Sequence, residues 1–104
     1  MAQMNMAKMM QQAKRMQEEV AKAQEEAMLL EAEGSSGGGA VKVVAGGDGR
    51  IKSVSISPDA IDPDDVEMLE DLVLAATNEA IGKVGELTQM RIDAATGGLN
   101  LPKF

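Results

Sequence analysis

Lys8, Arg15 and Lys22 recur every seventh residue, and Lys14 stands beside Arg15. On a helix, two turns take about seven residues, so equal spacing puts the three on one stripe. At ~1.5 Å per residue the row spans about 21 Å from end to end. A row of cations that long can follow a DNA backbone, neutralising phosphates and releasing their counterions. The plain alternative is a solvated polar face. Little other chemistry is on offer. The chain has no His and no Cys, which removes the commonest general base, the commonest metal ligand and every thiolate site. No catalytic residue, metal, cofactor or small-molecule substrate is expected, and the chain does not read as an enzyme.

The remaining polar clusters have structural readings. Asp59, Asp62, Asp64 and Asp65 lack the alternating oxygen ligands and central Gly of a calcium loop. They suit a helix N-terminus, where carboxylates cap free amides. Residues 34–39, Gly-Ser-Ser-Gly-Gly-Gly, have no Gly-Lys-Ser/Thr ending and lead into an apolar alternation, so they read as a turn and not a phosphate loop. Ser53, Ser55 and Ser57 alternate along one strand face with no base near in sequence to activate them. Net charge is −7, from 10 basic and 17 acidic residues. Taken alone that disfavours nucleic acid, but the charge is segregated. Residues 1–17 hold Lys8, Lys14 and Arg15 and no acid. Residues 18–33 hold Glu18, Glu19, Glu25, Glu26, Glu31 and Glu33 against Lys22. Segregation of this kind makes a local positive patch on an acidic protein.

The elements that must position the basic row can be read from periodicity. Residues 3–30 contain no Gly or Pro and one β-branched residue, Val20. Met6, Met9, Ala13, Met16, Val20, Ala23, Ala27 and Leu30 follow alternating steps of three and four, an unbroken a/d heptad seam. A helix over about 3–30 is predicted, with the cations outside the seam. Met6, Met9, Ala13, Met16 and Val20 are the candidate seam of a homodimer. The chain is short and Phe104 is its only aromatic, so its core is thin and association with a second copy would thicken it. The lack of aromatics also disfavours single-strand and RNA readers, which stack bases on aromatic rings. Duplex DNA is the preferred nucleic acid.

Residues 40–45 and 50–57 alternate around Gly46-Gly47-Asp48-Gly49, a β-hairpin over 40–57. The Ile51 to Val54 step breaks strict alternation, which suits a bulge. Residues 31–36 fit either a fraying helix end or a short edge strand. Asp62 as N-cap and Pro63 in the first turn predict a second helix over about 63–95, ended by Gly97-Gly98, with a short tail over 97–104. Gly82 and Gly85 interrupt its interior. The order predicts a single α+β domain over 1–104: helix, small antiparallel sheet over about 31–57, helix. No apolar run reaches the ~20 residues a membrane helix needs. Met1-Ala2-Gln3-Met4-Asn5 lacks the pattern of a signal peptide, so a cytoplasmic setting is expected.

The chain resembles the YbaB/EbfC family of bacterial nucleoid-associated proteins over nearly its full length. The resemblance is carried by Met6-Ala7-Lys8-Met9-Met10-Gln11-Gln12-Ala13-Lys14, Met16-Gln17-Glu18-Glu19, residues 33–39, Ile56-Ser57-Pro58, the run from Asp62 to Ala76, and Thr96-Gly97-Gly98-Leu99-Asn100-Leu101-Pro102. It implies a two-layer α-β-β-β-α protomer, a tweezers-like homodimer with projecting helices, and duplex DNA binding in nucleoid organisation or gene regulation. It also tips residues 31–36 toward a first strand. Lys83 and Arg91 of the second helix join Lys8, Lys14, Arg15 and Lys22 as candidate DNA contacts. A second reading keeps the Met/Ala seam as a prefoldin-like helical clamp for another protein, without direct DNA binding.

Overall fold

A computed structural model describes residues 5–97. The first helix, α1, runs Met6–Met28. Asn5 caps it, its Oδ1 accepting from the Ala7 amide at 3.1 Å, which satisfies one of the free donors at a helix start. The start of the predicted span, residues 3 and 4, lies outside the described residues. At the other end the Leu30 amide reaches the Ala27 carbonyl at 3.2 Å, tightening the last turn before the chain extends. Three strands follow: β1, Glu31–Ser36; β2, Val41–Gly46; β3, Ile51–Ile56. A 30-residue helix, α2, Val66–Ala95, completes the α+β order. The sheet is antiparallel in the order β1-β2-β3.

Two ambiguous passages are resolved. Residues 31–36 form a strand, as the family resemblance implies. Gly37, Gly38 and Gly39 make its turn into β2 with φ of 60°, 67° and 95°, backbone that other residues rarely adopt. The bulge falls in β3. Val44 lies opposite Ser53 while Ala45 lies opposite Ile51, so Lys52 is the extra residue.

The start of α2 differs from expectation. Asp65 is the N-cap, accepting from the Met68 amide at 3.2 Å, and the first helical residue is Val66. Asp62 instead turns on itself. Its Oδ1 takes the Asp64 amide at 2.9 Å and its carbonyl takes the Asp65 amide at 3.0 Å. An Asp before Pro favours this local turn over a cap. At the far end Gly97 takes a positive φ of 67°, the left-handed residue that commonly follows a helix. Residues 98–104 of the predicted tail, with Phe104, lie outside the described residues.

Val41, Val43 and Ala45 turn one face of β2 onto Ala76, Ala80 and Val84 of α2, and these six buried residues are the core. Leu30, Ala32, Ile56, Leu69, Leu72 and Val73 pack around it. Helix and sheet meet nearly backbone to backbone. A Cβ on Gly34 of β1 would collide with the Ala76 carbonyl and the Ala80 amide, and would lie 2.9 Å from the Ala80 Cα.

The second joint roots α1. Ala23 and Ala27 are its buried residues, and the Gly47 amide of the hairpin turn donates to the Leu30 carbonyl at 2.8 Å. A Cβ on Gly47 would strike the Ala27 carbonyl. The last turns of the heptad seam are therefore covered within the chain. Beyond them α1 runs free, and the molecule measures 78 × 24 × 17 Å with a radius of gyration of 20.7 Å. A compact chain of this length would have about 13 Å.

Gly34→Ala should destabilise the fold by about 3 kcal/mol, because only displacement of α2 makes room for the methyl group. Gly82 has open space at its Cβ position, so Gly82→Ala should stabilise by about 0.5–1 kcal/mol. Urea unfolding of the two variants checks both signs.

Candidate nucleic-acid interface

The free part of α1 is helical because nothing in it opposes helix: no Gly, no Pro, and long unbranched side chains. Lys8, Lys14, Arg15 and Lys22 are all exposed on it. None of the four forms an ion pair among the described residues. At about 100° per residue they lie well away from the seam, on the outward side of the arm. The seam residues Met6, Met9, Ala13 and Met16 are exposed too, and Val20 is partly covered. The arm thus has an apolar face and a cationic face, both open.

The two candidates on α2 sit in other surroundings. Lys83 Nζ lies 2.9 Å from Glu79 and donates to the Glu33 carbonyl at 3.2 Å. Arg91 is held by Glu26 of α1, its Nε donating at 2.8 Å and its second nitrogen closing the pair. Each therefore faces a carboxylate that offsets its charge. Arg91 does come near Lys22, and the two share a shallow hollow with Glu19, Ala94 and Ala95. Lys42, Arg50 and Lys52 are further exposed cations, on the sheet and its hairpin, that periodicity does not single out. Lys52 pairs with Asp48 at 2.6 Å. Lys42 alternates with Val41 and Val43, and Arg50 and Lys52 flank Ile51, so they read as the solvated face of ordinary strands and nothing in the sequence marks them.

Lys83 and Glu79 also close the outer edge of β1. While Lys83 takes the Glu33 carbonyl, Glu79 accepts the Ser35 amide at 3.4 Å. A charged pair over an unpaired strand edge is a common guard against edge-to-edge association. The Lys83 hydrogen bond, with help from the Ser35 amide, holds the Glu79 carboxyl below the usual glutamate range. The Lys52 hydrogen bond, and then the Arg50 amide, lower Asp48 likewise.

Apolar side chains are also exposed on the body. Ile51 and Val54 of β3 are 42% and 49% exposed, and Leu74 and Ile81 of α2 are 61% and 52% exposed. Among the described residues no group of three potential metal ligands gathers, and no helix is long and apolar enough to cross a membrane.

An α+β chain with a long helical arm, cationic on one side and apolar on the other, is a binding architecture. The profile of the YbaB/EbfC DNA-binding family matches residues 1–99, and the chain belongs to that family. It is 47% identical over 98 residues to a nucleoid-associated protein of Pelotomaculum thermopropionicum, covering 94% of this chain and 93% of the relative. A nucleoid-associated protein of Caldanaerobacter subterraneus is 49% identical over 98 residues, 94% of this chain and 88% of the relative. One from Chloroflexus aurantiacus is 46% identical over 96 residues, 92% and 96% of the two chains.

A carboxyl titration followed by NMR should find Glu79 below the usual glutamate range in the intact protein and within it in Lys83→Ala. Because the folded-state value is lowered, the contribution of this clamp is present above the usual range. It is lost as pH falls through the lowered value.

Proposed function

We propose that this protein is a nucleoid-associated DNA-binding protein that grips duplex DNA by its phosphate backbone as a homodimer. The observation that carries this reading is the arm. Lys8, Lys14, Arg15 and Lys22 stand exposed and unpaired on the outward side of a projecting helix. Residues 1–17 hold no acid. Membership of a DNA-binding family supports the same conclusion, as do the names of the relatives. The body is acidic overall, so approach to DNA is favoured at the arm, where an acid-free stretch carries Lys8, Lys14 and Arg15. Duplex is favoured over single strands because base-stacking aromatics are missing from the arm. A nucleoid location within the cytoplasm and a role in nucleoid organisation or gene regulation follow from that reading. No enzymatic activity is assigned.

The homodimer is supported by the apolar surface left open on the body. The candidate seam of Met6, Met9, Ala13, Met16 and Val20 is open as well, and a second copy can cover it or the exposed Ile51, Val54, Leu74 and Ile81 with its own. Two copies then present two arms. Lys83 and Arg91 are minor contributors in this reading, since Glu79 and Glu26 already neutralise them. The open seam on α1 also suits a helical clamp for another protein, and salt separates the two readings. Phosphate neutralisation weakens steeply with salt, whereas burial of an apolar seam does not.

Two copies offer eight arm cations, of which about four to six would meet phosphate, giving a slope of log affinity against log salt of roughly −4 to −5. Scrambled duplexes should compete within about tenfold, since backbone contacts carry no sequence information. Charge reversal at Lys14 and Arg15 together should abolish binding and leave the dimer mass unchanged. Lys83→Ala and Arg91→Ala should each leave the slope within about one unit. A complex indifferent to salt, or a Lys14/Arg15 variant that binds normally, would overturn the reading in favour of the protein clamp.

A further inference from the structure

We infer that the Glu26–Arg91 pair is a clasp that sets which way the cationic row of the arm faces, so that Arg91 positions the DNA-binding residues without touching DNA. This rests on the DNA reading above but concerns the root of the arm. Among the described residues two ion pairs join neighbours four apart in sequence, Asp48 with Lys52 and Glu79 with Lys83. The third joins Glu26 of α1 to Arg91 of α2, and it alone ties two helices together. Arg91 Nε donates to Glu26 Oε2 at 2.8 Å, and a second guanidinium nitrogen donates to the same oxygen.

The place of the pair on α1 gives it this role. At about 100° per residue Glu26 falls on the stripe of Lys8, Arg15 and Lys22, one turn nearer the body than Lys22. The clasp therefore grips the stripe that carries the cations. α1 is one unbroken helix from Met6 to Met28, so a roll at Glu26 turns Lys8 by the same angle.

The other contacts at the root oppose such a roll weakly. Ala23 and Ala27 are the buried residues of α1, but methyl groups make low ridges, and low ridges interlock little. Gly47 meets the end of α1 through backbone and has no side chain to lodge in a groove. Two donors from one planar guanidinium restrict the carboxylate they hold, and they do so off the alanine seam.

The surroundings of Arg91 favour a positioning residue over a phosphate contact. Glu19 lies one heptad from Glu26 toward the tip and lines the same hollow as Arg91 and Lys22. A phosphate entering there would meet two carboxylates. Two arms that meet one duplex must each present their cations in a set direction, and arms already oriented lose less freedom on binding. A surface ion pair adds little to folding stability. The clasp should therefore show in arm orientation and DNA affinity, not in unfolding.

Glu19 stands in reserve for Glu26, so the test is made at Arg91. The paired side chains are 38% and 40% exposed, and Arg91→Ala should keep the folded body. The chain has no cysteine. Spin labels can therefore be placed at Gln11→Cys on the arm and Ser53→Cys on the sheet, both exposed, with labelled chains diluted in unlabelled ones. The intact clasp should give one narrow distance distribution, and Arg91→Ala should broaden it. Duplex affinity should fall about three- to tenfold, the scale of two surface pairs in a dimer. The slope of log affinity against log salt should stay within about one unit. Swapping the charges, Glu26→Arg with Arg91→Glu, should restore both the narrow distribution and the affinity.

A slope flatter by about two units in Arg91→Ala, one phosphate lost per copy, would make Arg91 a DNA contact and end the clasp reading. An unchanged distance distribution in that variant, or a charge swap that restores neither property, would end it too. If the wild type binds no duplex, the DNA reading fails instead. The distance distributions then still decide whether the pair orients the arm.

Discussion

The approach of α2 to β1 at Gly34 is the contact on which the rest of the molecule depends. With one aromatic in the chain and a core of valines and alanines, large side chains cannot fill a gap between helix and sheet. The gap has to be removed. Gly34 removes it on the strand side, and Ala76 and Ala80 do so on the helix side, so backbone meets backbone. Dispersion falls off steeply with distance, and a close seam of small groups keeps contacts that a wider one would lose. The same approach sets where Glu79 and Lys83 fall, over the outer edge of β1. It leaves β3 and the outer side of α2 uncovered.

Electrostatics work by separation in this chain. A net charge of −7 on 104 residues would keep a uniformly charged body away from DNA. Here the acid-free stretch lies at the end of a rigid helix, farthest from the acidic body. Two cations of α2 already have partners, Arg91 in Glu26 and Lys83 in Glu79. At physiological salt, charges beyond about 8 Å are largely screened. Repulsion from the body therefore fades over the length of the arm.

Much of the architecture is legible in the residues. The heptad steps locate α1, the Gly46-Gly47-Asp48-Gly49 turn locates the hairpin, and the broken step after Ile51 locates the bulge at Lys52. The start of α2 is harder to read because several aspartates compete for one role. Asp62 and Asp65 both suit a cap, and the proline between them decides in favour of Asp65 by drawing Asp62 into a turn. The seam is legible as a seam, but periodicity does not say where its cover comes from. Its last turns lie against α2 of the same chain, and a local pattern carries no information on a contact 65 residues away, like that of Glu26 with Arg91. For the same reason the candidate cations all read alike in sequence, although two of them have carboxylate partners.

The Gly47 joint has a mechanical consequence. The arm is a cantilever, clamped over its last two turns by Ala23, Ala27 and the hairpin turn, with a free length of about 20 Å beyond the clamp. A small rotation at the clamp becomes a displacement several times larger at Lys8. Because Gly47 lies against the Ala27 carbonyl with no side chain between them, the clamp is stiff against compression toward the turn. Against α2 the joint is held by the small Ala23 and Ala27 and by the Glu26–Arg91 pair. The position of the arm tip is thus set by the few small residues at its root.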